Sequence, residues 1–486
     1  MRKETKMTAT LSDPGTAVQR NPRRWLILVV LCLSTLVLVI DNMALTVAVP
    51  SLTEDLGATA SDTQWILDSY LLVFAGLLLT SGSLADRFGR RRVMIIGLAL
   101  FGCASLVATL ASSPGELVAA RVVMGVGGAL IMPSTLSILI TVFDEEERRK
   151  AMAAWSAVAM VGFIGGPVLG GVLIAWFWWG AVFLINVPIA VLAIVAAVVL
   201  MPESKGPWRK ADPLGAVLSA VGMTALVWMI IELPHGSAGS TLGALVVAVL
   251  ALGGFVVWEL RTPSPMVPLG LFRARNFTGG SLSLTLVQVG NGGLLLVFTQ
   301  FLQFVLGYSP TQAGLAFLPM AVSSLLFNTL GATLGQKFGN RVLTVSGLLV
   351  AAAGFGLLAT ASSSFLVVGL GLFVLGAGGG LAMPAAIAAL MGTVPEEHAG
   401  VGSALNDTIQ QLGAALGVAA LGSVLSSGFR STMPDATPLA DAVRVPALAD
   451  TARSAFTSAM STTFLVSAVG VVVAAVLAAV VLKDKR

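Results

Sequence analysis

Charged residues are scarce in this sequence. Only 11% of the 486 residues are Asp, Glu, Lys or Arg, whereas 56% are apolar, and the mean hydropathy is +0.92. A soluble domain usually carries about a quarter charged residues, which cover its water-facing surface. The composition therefore excludes a soluble enzyme, a nucleic-acid-binding protein and a disordered chain, and it predicts a protein that lies in a membrane.

Cysteine and histidine are nearly absent as well. Cys32 and Cys103 lie in apolar runs, and His235 and His398 lie in polar connections. Two cysteines cannot form a disulfide framework or a metal cluster. The phosphate-binding pattern GxxxxGK[ST] does not occur in the sequence. We therefore expect no metal, no cofactor and no bound nucleotide, and we expect no enzymatic activity.

Long apolar runs fill most of the chain. A helix needs about 20 apolar residues to cross a bilayer, and fourteen runs reach roughly this length. The fold class is therefore an all-α polytopic membrane protein with 14 transmembrane helices. The predicted spans cover residues 25–50, 64–84, 93–112, 116–140, 151–175, 178–201, 213–232, 241–259, 277–306, 311–335, 342–361, 365–390, 400–425 and 459–482.

The spans group as six, two and six. We predict an N-terminal tail, a six-helix bundle, an inserted two-helix segment with its linkers, a second six-helix bundle and a short C-terminal tail. These segments cover residues 1–24, 25–201, 202–276, 277–482 and 483–486, and the second bundle includes a long outer loop at 426–458.

The distribution of Lys and Arg predicts the orientation of the chain. With the N-terminus inside the cell, 24 of the 28 cations fall in inner segments and three in outer segments. The remaining cation, Arg121, lies within a span. Inner loops of membrane proteins are enriched in Lys and Arg. Both termini are therefore predicted to be cytoplasmic, and the basic pI of about 9.3 reflects topology rather than an acidic partner.

Two stretches of the first half recur in the second half. GSLADRFGRRRV at residues 82–93 matches GATLGQKFGNRV at 331–342, an offset of 249 residues. GVGGALIMP at 125–133 matches GAGGGLAMP at 376–384, an offset of 251 residues. Parallel repeats of six spans are typical of a large transporter architecture that binds substrate between its halves. Because the inserted segment has an even number of spans, both halves have the same orientation in the membrane.

Five motifs resemble the major facilitator superfamily. Within it, the sequence is similar to the fourteen-spanner drug–proton antiporters, which include bacterial multidrug and quaternary ammonium exporters. The resemblance implies alternating access, with protons exchanged for amphipathic cationic drugs across the bacterial cell membrane. The motifs lie at residues 41–50, 65–70, 82–92, 117–125 and 162–171.

The sequence departs from the family pattern at two positions. Met124 stands where the family often has Gln. Gly335 stands where the first copy of the repeated loop has Asp86. We therefore expect the second copy to lack the charged switch of the first.

Three charged residues fall inside predicted spans of the first half. Asp41, Asp68 and Arg121 lie at similar depth in its outer part. Charges inside a bilayer are costly and mark functional sites. Burial favours a protonated carboxyl group, whereas a neighbouring guanidinium favours the carboxylate. The resemblance implies a coupling role for Asp41 and a substrate contact for Asp68, and we predict Asp41 as the main proton carrier, with Arg121 as its partner. The alternatives are a structural Asp41–Arg121 pair and a hydrated Asp68.

Asp407 is a further acidic residue within a span. It lies about seven residues from the inner end and shares a helical face with Ser403 and Gln410. It is either a second proton-coupling site at the cytoplasmic entry or a hydrated group in the inner vestibule.

Polar and aromatic residues provide candidate substrate contacts. Gln288, Asn291 and Gln303 form one stripe of a span, since residues three and four apart share a helix face. The stripe lines either the cavity or a helix–helix contact. Flat cations bind aromatic faces, and the alternative for any single ring is ordinary packing. The candidate rings are Trp65, Tyr70, Phe74 and Phe298.

Two further motifs predict conformational roles. Gly82, Asp86, Arg87, Gly89 and Arg90 resemble the family's latch between helices, and the alternative is a simple positive anchor. The second motif allows close helix approach and a bend. It consists of Gly162, Gly166, Pro167 and Gly170.

These observations predict a proton-coupled exporter of amphipathic, cationic drugs. Its partners are protons, small-molecule drugs and the lipid bilayer. The alternative is a dedicated exporter of one antibiotic, lipid or metabolite. A channel is disfavoured by the embedded acidic residues.

Overall fold

The computed structural model describes residues 22–58, 60–206, 212–232, 238–308, 310–360, 365–433, 443 and 445–483. Regular secondary structure within these ranges is helical throughout. This confirms the predicted all-α class. The tails outside 22–483 and part of the predicted outer loop lie outside the described residues.

The first half and the inserted segment contain nine α-helices. They are α1 (Arg24–Leu56), α2 (Ala60–Phe88), α3 (Arg90–Thr109), α4 (Pro114–Val142), α5 (Glu145–Trp176), α6 (Ala181–Leu184), α7 (Asn186–Leu200), α8 (Pro213–Glu232) and α9 (Ala238–Arg261). A 3-10 turn, Leu269–Arg273, leads into the second half.

Six further α-helices follow in the second half. They are α10 (Arg275–Gln300), α11 (Pro310–Ala316), α12 (Leu318–Ala359), α13 (Phe365–Met391), α14 (Ala399–Thr432) and α15 (Pro446–Val481). A π-helical turn, Phe301–Val305, extends α10, and a 3-10 turn, Glu396–His398, precedes α14.

Thirteen helical segments of the described residues are long and apolar enough to cross a membrane. Helix α12 contributes two of them, Leu318–Gly335 and Lys337–Ala359, and α6 and α7 together contribute one, Ala181–Leu200. The apolar part of α5 counts only as a shorter segment, Gly165–Trp176. The predicted total of fourteen includes this helix.

Helix ends differ from the prediction at two places. Both ends of the predicted outer loop at 426–458 are helical, because α14 continues to Thr432 and α15 begins at Pro446. A helix can extend beyond the apolar core of a bilayer, so a hydropathy limit of 20 residues underestimates its length. The predicted span 178–201 is interrupted where α6 ends and α7 begins at Asn186.

Two glycines fix the register of the internal repeat. Gly89 separates α2 from α3 with φ of 112°, and Gly339 breaks α12 with φ of 82°. Only glycine adopts such angles readily. The two breaks are equivalent, and their numbers differ by 250 rather than 249. This corrects the predicted alignment: Gln336, rather than Gly335, is the counterpart of Asp86. The counterpart is still uncharged.

Each half has its own apolar core, and the halves meet along two seams. One core consists mainly of first-half side chains and the other of second-half side chains. The seams join α2 and α4 to α14, and α5 to α12 and α13. The inserted α8 packs on both α2 and α14, where Gly76 lies directly against Thr224. The ring of Trp65 packs edge-on against Trp228 at 5.1 Å.

Candidate functional site

A central cavity of about 430 Å³ lies between the two halves. Its polar lining comes from both of them, and methionines and aliphatic residues fill the gaps. Polar and aromatic residues of the first half in the lining are Thr35, Asn42, Tyr70, Phe74 and Trp155. Those of the second half include Gln288, Asn291, Asn328, Asp407 and Gln410.

Asp407 is the acidic residue of this lining. It is 3% exposed, and Asn406 Nδ2 donates to its Oδ1 at 2.9 Å. Within the described part of the chain, its Oδ2 has no hydrogen-bond partner. A buried carboxylate is costly unless it is paired. Asp407 is therefore suited to take up either a proton or a positively charged ligand.

Asp41 and Arg121 form a buried ion pair in the first half. Arg121 Nη1 lies 2.5 Å from Asp41 Oδ2, and the two residues are 1% and 0% exposed. Asn186 Nδ2 donates to Asp41 Oδ1 at 2.7 Å. Arg121 Nε donates to the carbonyl oxygen of Ile66 at 3.1 Å. Asp41 is thus neutralised by a cation and an amide, in contrast to Asp407.

Two side chains connect this ion pair to the central cavity. Arg121 Nη2 donates to Asn42 Oδ1 at 3.3 Å, and the guanidinium of Arg121 lies over the Tyr70 ring. Asn42 and Tyr70 both line the cavity. A change of charge at Asp41 can therefore affect the cavity wall through Arg121, which contacts both Asn42 and Tyr70.

A second polar cluster joins the halves at the end of the bundle that contains Asp86. Arg90 Nη2 donates to Asp86 Oδ1 at 2.7 Å and to the carbonyl oxygen of Glu396 at 2.7 Å. The backbone N–H groups of Gly400 and Val401 donate to the Asp86 carboxylate at 2.9 and 3.0 Å. We refer to these five residues as the latch.

The remaining residues of the predicted latch motif surround this cluster. A Cβ on Gly82 would lie 2.5 Å from both the Ala404 Cβ and the Gly400 carbonyl oxygen. Only glycine therefore lets α2 and α14 approach this closely. Gly89 forms the break before α3. Arg87 lies over the Phe88 ring, with its Cζ 5.2 Å from the centroid.

The glycines of α5 pack against α1. A Cβ on Gly162 would lie 2.9 Å from Val39 Cβ, and one on Gly170 would lie 2.9 Å from the Ala44 carbonyl oxygen. Gly166 faces Met43 in the same contact, and Pro167 lies inside the helix. Close helix packing at this predicted motif is thus observed.

Four predicted contact residues lie outside the lining of this cavity, and for Phe298 the alternative of ordinary packing is observed. Phe298 is fully buried in the second-half core, where it packs against Phe301, Phe317 and Phe464. Gln303 lies in the π-helical turn, whose wider spacing breaks the stripe that begins with Gln288 and Asn291. Trp65 packs on Trp228, and Asp68 is half-buried on the same helix.

Several polar residues of the site were not predicted from the sequence. Asn186 stands at a helix break inside an apolar run, and Asn42 follows Asp41 directly. Asn328 lines the cavity with an Oδ1 that has no hydrogen-bond partner in the described ranges. The one available signal was the presence of an amide inside a span, since buried amides need partners.

Comparisons with known proteins identify the family. The sequence profile of the Major Facilitator Superfamily matches residues 31–418 and 280–486. The multidrug efflux pump LfrA of Mycolicibacterium smegmatis is 35% identical, over 96% of this chain and 98% of its own length. The methyl viologen resistance protein SmvA of Salmonella typhimurium is 35% identical, over 85% of this chain and 84% of its own. This chain belongs to the major facilitator superfamily of membrane transporters.

Solved structures show the same fold. The human organic anion transporter MFSD10 has a TM-score of 0.65 at 16% identity, covering 93% of this chain and 100% of its own. The proton:xylose symporter XylE also has a TM-score of 0.65 at 16% identity, covering 94% and 95%. At this identity the likeness establishes the architecture alone.

Proposed function

We propose that this protein is a proton-coupled exporter of amphipathic, cationic drugs. The observation that carries the proposal is Asp407, a buried carboxyl group that has no counter-ion among the described residues and lies in a cavity between two repeated halves. Relatives named as multidrug efflux and methyl viologen resistance proteins support a drug substrate. The cavity offers aromatic and amide side chains rather than a catalytic constellation, so we propose transport rather than catalysis.

Exchange at Asp407 couples drug to proton. A cationic drug binds when the Asp407 carboxyl group is ionised, because the positive charge of the drug then offsets the cost of burying the carboxylate. Protonation removes the charge and with it the attraction for the drug. Two ligands that favour opposite charge states of one site weaken each other's binding by the same factor. Proton entry from one side therefore releases the drug on that side.

The Asp41–Arg121 pair provides a second proton-responsive site. Protonation of Asp41 breaks the ion pair and leaves the guanidinium held by Ile66, Asn42 and the Tyr70 ring. Because Asn42 and Tyr70 line the cavity, this change alters its first-half wall. We propose that Asp41 is the main proton carrier and that Asp407 is where drug and proton compete. The Asp68 carboxylate, on the helix that carries Tyr70, serves as an outer contact for the drug.

Alternating access requires the halves to move at both ends of the bundle. We propose that residues 25–201 and 277–482 move as the two units, with 202–276 attached to the first. The latch holds one end closed, and we propose that this is the cytoplasmic end because Arg-rich segments flank it. Both termini would then be cytoplasmic in the bacterial cell membrane. Release of the latch opens the cavity to the cytoplasm for drug entry.

Ethidium efflux from proteoliposomes with an imposed pH gradient tests this proposal. We expect Asp41→Asn and Asp407→Asn to lose gradient-driven efflux. Asp407→Asn should also lose ethidium binding by about tenfold or more, since each 1.4 kcal/mol of lost attraction is a factor of ten. Asp450→Asn is the matched control, because the Asp450 side chain is fully exposed. Full activity of both buried variants would refute the coupling mechanism.

A dedicated exporter is the second candidate. The tetracenomycin C resistance and export protein of Streptomyces glaucescens is 32% identical over 90% of this chain and 84% of its own length. Several of the lining residues are amides, which also bind neutral polar ligands. Absence of ethidium transport by the wild-type protein, together with efflux of a single uncharged antibiotic, would favour this alternative.

A further inference from the structure

Two acidic residues meet where the inserted helices α8 and α9 come together at one end. Asp212 directly precedes α8, and Glu259 lies in the last turn of α9. Glu259 is only 4% exposed. Neither residue belongs to the central cavity or to the latch.

Each of the two carboxyl groups has one oxygen bound to N–H donors. Asp212 Oδ1 accepts hydrogen bonds from the Gly215 backbone N–H and from Trp258 Nε1, both at 2.8 Å. Glu259 Oε2 accepts from the Val267 backbone N–H at 3.1 Å. These donors stabilise negative charge on the oxygens that they contact.

The other two oxygens lie next to Gly215. Asp212 Oδ2 and Glu259 Oε1 are buried, and neither has a hydrogen-bond partner in the part of the chain that the structure describes. A Cβ on Gly215 would lie 2.5 Å from the first and 2.8 Å from the second. Both oxygens therefore border the same small space, in which a hydrogen bond between the two carboxyl groups would satisfy them. That bond needs a hydrogen, which two carboxylates lack.

We infer that Asp212 and Glu259 share one proton and form a proton-binding site within the inserted helix pair. A single proton lets one oxygen donate to the other, which satisfies both buried atoms and removes the repulsion between two adjacent negative charges. Gly215 is required at its position because any larger residue would occupy the space of the shared hydrogen bond.

The site lies beside the latch. Asp212 lines a cavity of about 350 Å³ that separates α8 from the latch end of α2 and α14. The other charged or titratable side chains that face this cavity are Asp86, Arg87, Glu397 and His398. Loss of the shared proton adds a negative charge opposite Asp86 and Glu397, with Arg87 and His398 opposing the repulsion.

Infrared spectroscopy of the purified protein in an ester-free detergent tests the shared proton. We expect Asp212→Asn and Glu259→Gln to lose the same carboxylic-acid carbonyl band, and the double variant to lose no more than either. A loss in only one variant, additive losses or no loss would overturn the proposal. The measurement does not depend on transport, so its failure leaves the proposed function intact.

A glycine pair provides a test that leaves all charges in place. Gly215→Ala inserts a methyl group between the two oxygens, and we expect the band to shift or disappear. Gly253→Ala on α9 is the control, because a Cβ there has nothing within 4 Å. This control should retain the wild-type band and the wild-type efflux. An unchanged band in Gly215→Ala would overturn the shared hydrogen bond.

Discussion

The Tyr70 ring lies over the guanidinium of Arg121, with Cζ 4.4 Å from the ring centroid. Tyr70 is at the same time part of the central cavity lining, where it stacks on Phe74. One aromatic side chain thus lies between the central cavity and the buried ion pair.

Removal of this ring should uncouple the cavity from the ion pair. A desolvated cation–π contact contributes about 2 kcal/mol, so we expect Tyr70→Leu to slow gradient-driven ethidium efflux by roughly tenfold or more. Tyr70→Phe keeps the ring and is the matched control, with a much smaller loss. Equal rates for the two variants would show that the ring has no part in coupling.

Asn186 should stabilise the ion pair. Its amide donates to Asp41 within a fully buried cluster, and a hydrogen bond to a charged group contributes about 1.5–3 kcal/mol. We expect Asn186→Ala to lower the free energy of unfolding by this amount, measured by unfolding in mixed micelles. Asn276→Ala removes two exposed hydrogen bonds, one donated to the Lys483 carbonyl oxygen and one accepted from the Lys483 backbone N–H, and should have little effect. Equal effects would contradict the role of Asn186.

The charge of Asp86 should keep its end of the bundle closed. Asp86→Asn weakens the bonds to Arg90, Gly400 and Val401, so α2 and α14 should separate more often. We would measure labelling of a cysteine at the buried position Ser403 by an impermeant maleimide, in a background with Cys32 and Cys103 replaced by Ser. We expect several-fold faster labelling with Asp86→Asn and no change with Asp55→Asn, an exposed site on α1.

A methyl group at Gly170 should destabilise the close packing of α5 against α1. Gly170→Ala would place its Cβ 2.9 Å from the Ala44 carbonyl oxygen, and such overpacking costs about 1–3 kcal/mol. Gly165→Ala on the same helix meets nothing within 4 Å and should be neutral or slightly stabilising, because Ala favours helix. Thermal unfolding of the two variants gives the comparison, and an unchanged midpoint for Gly170→Ala would refute the packing argument.

Features set by local composition could be predicted from the sequence. The apolar runs give the helices, and the repeated Gly-rich motifs give the two halves. Asp41 and Arg121 were recognised because each is a charge in an apolar run, and the structure places them in contact.

Features that depend on long-range contacts could not be predicted. The resemblance predicts a latch at Asp86, but not its partners, which are backbone donors more than 300 residues away, because backbone groups have no sequence signature. Phe298 and Gln303 were misplaced because helical spacing gives a face but not its neighbour, and a π-helical turn changes the spacing. The sequence did not predict a site at Asp212 and Glu259, because each residue alone resembles an ordinary charged residue at a helix end.

Helix α14 begins without a capping side chain of its own. His398 precedes it and forms no cap hydrogen bond, and the first N–H groups instead bind the Asp86 carboxylate of the other half. N-terminal capping and the favourable charge at a helix start contribute about 1–2 kcal/mol. Separation of the halves at this end therefore leaves the first turn of α14 without its cap. One half therefore completes the first turn of a helix in the other half, and opening of the cavity at this end must offset the loss of that cap.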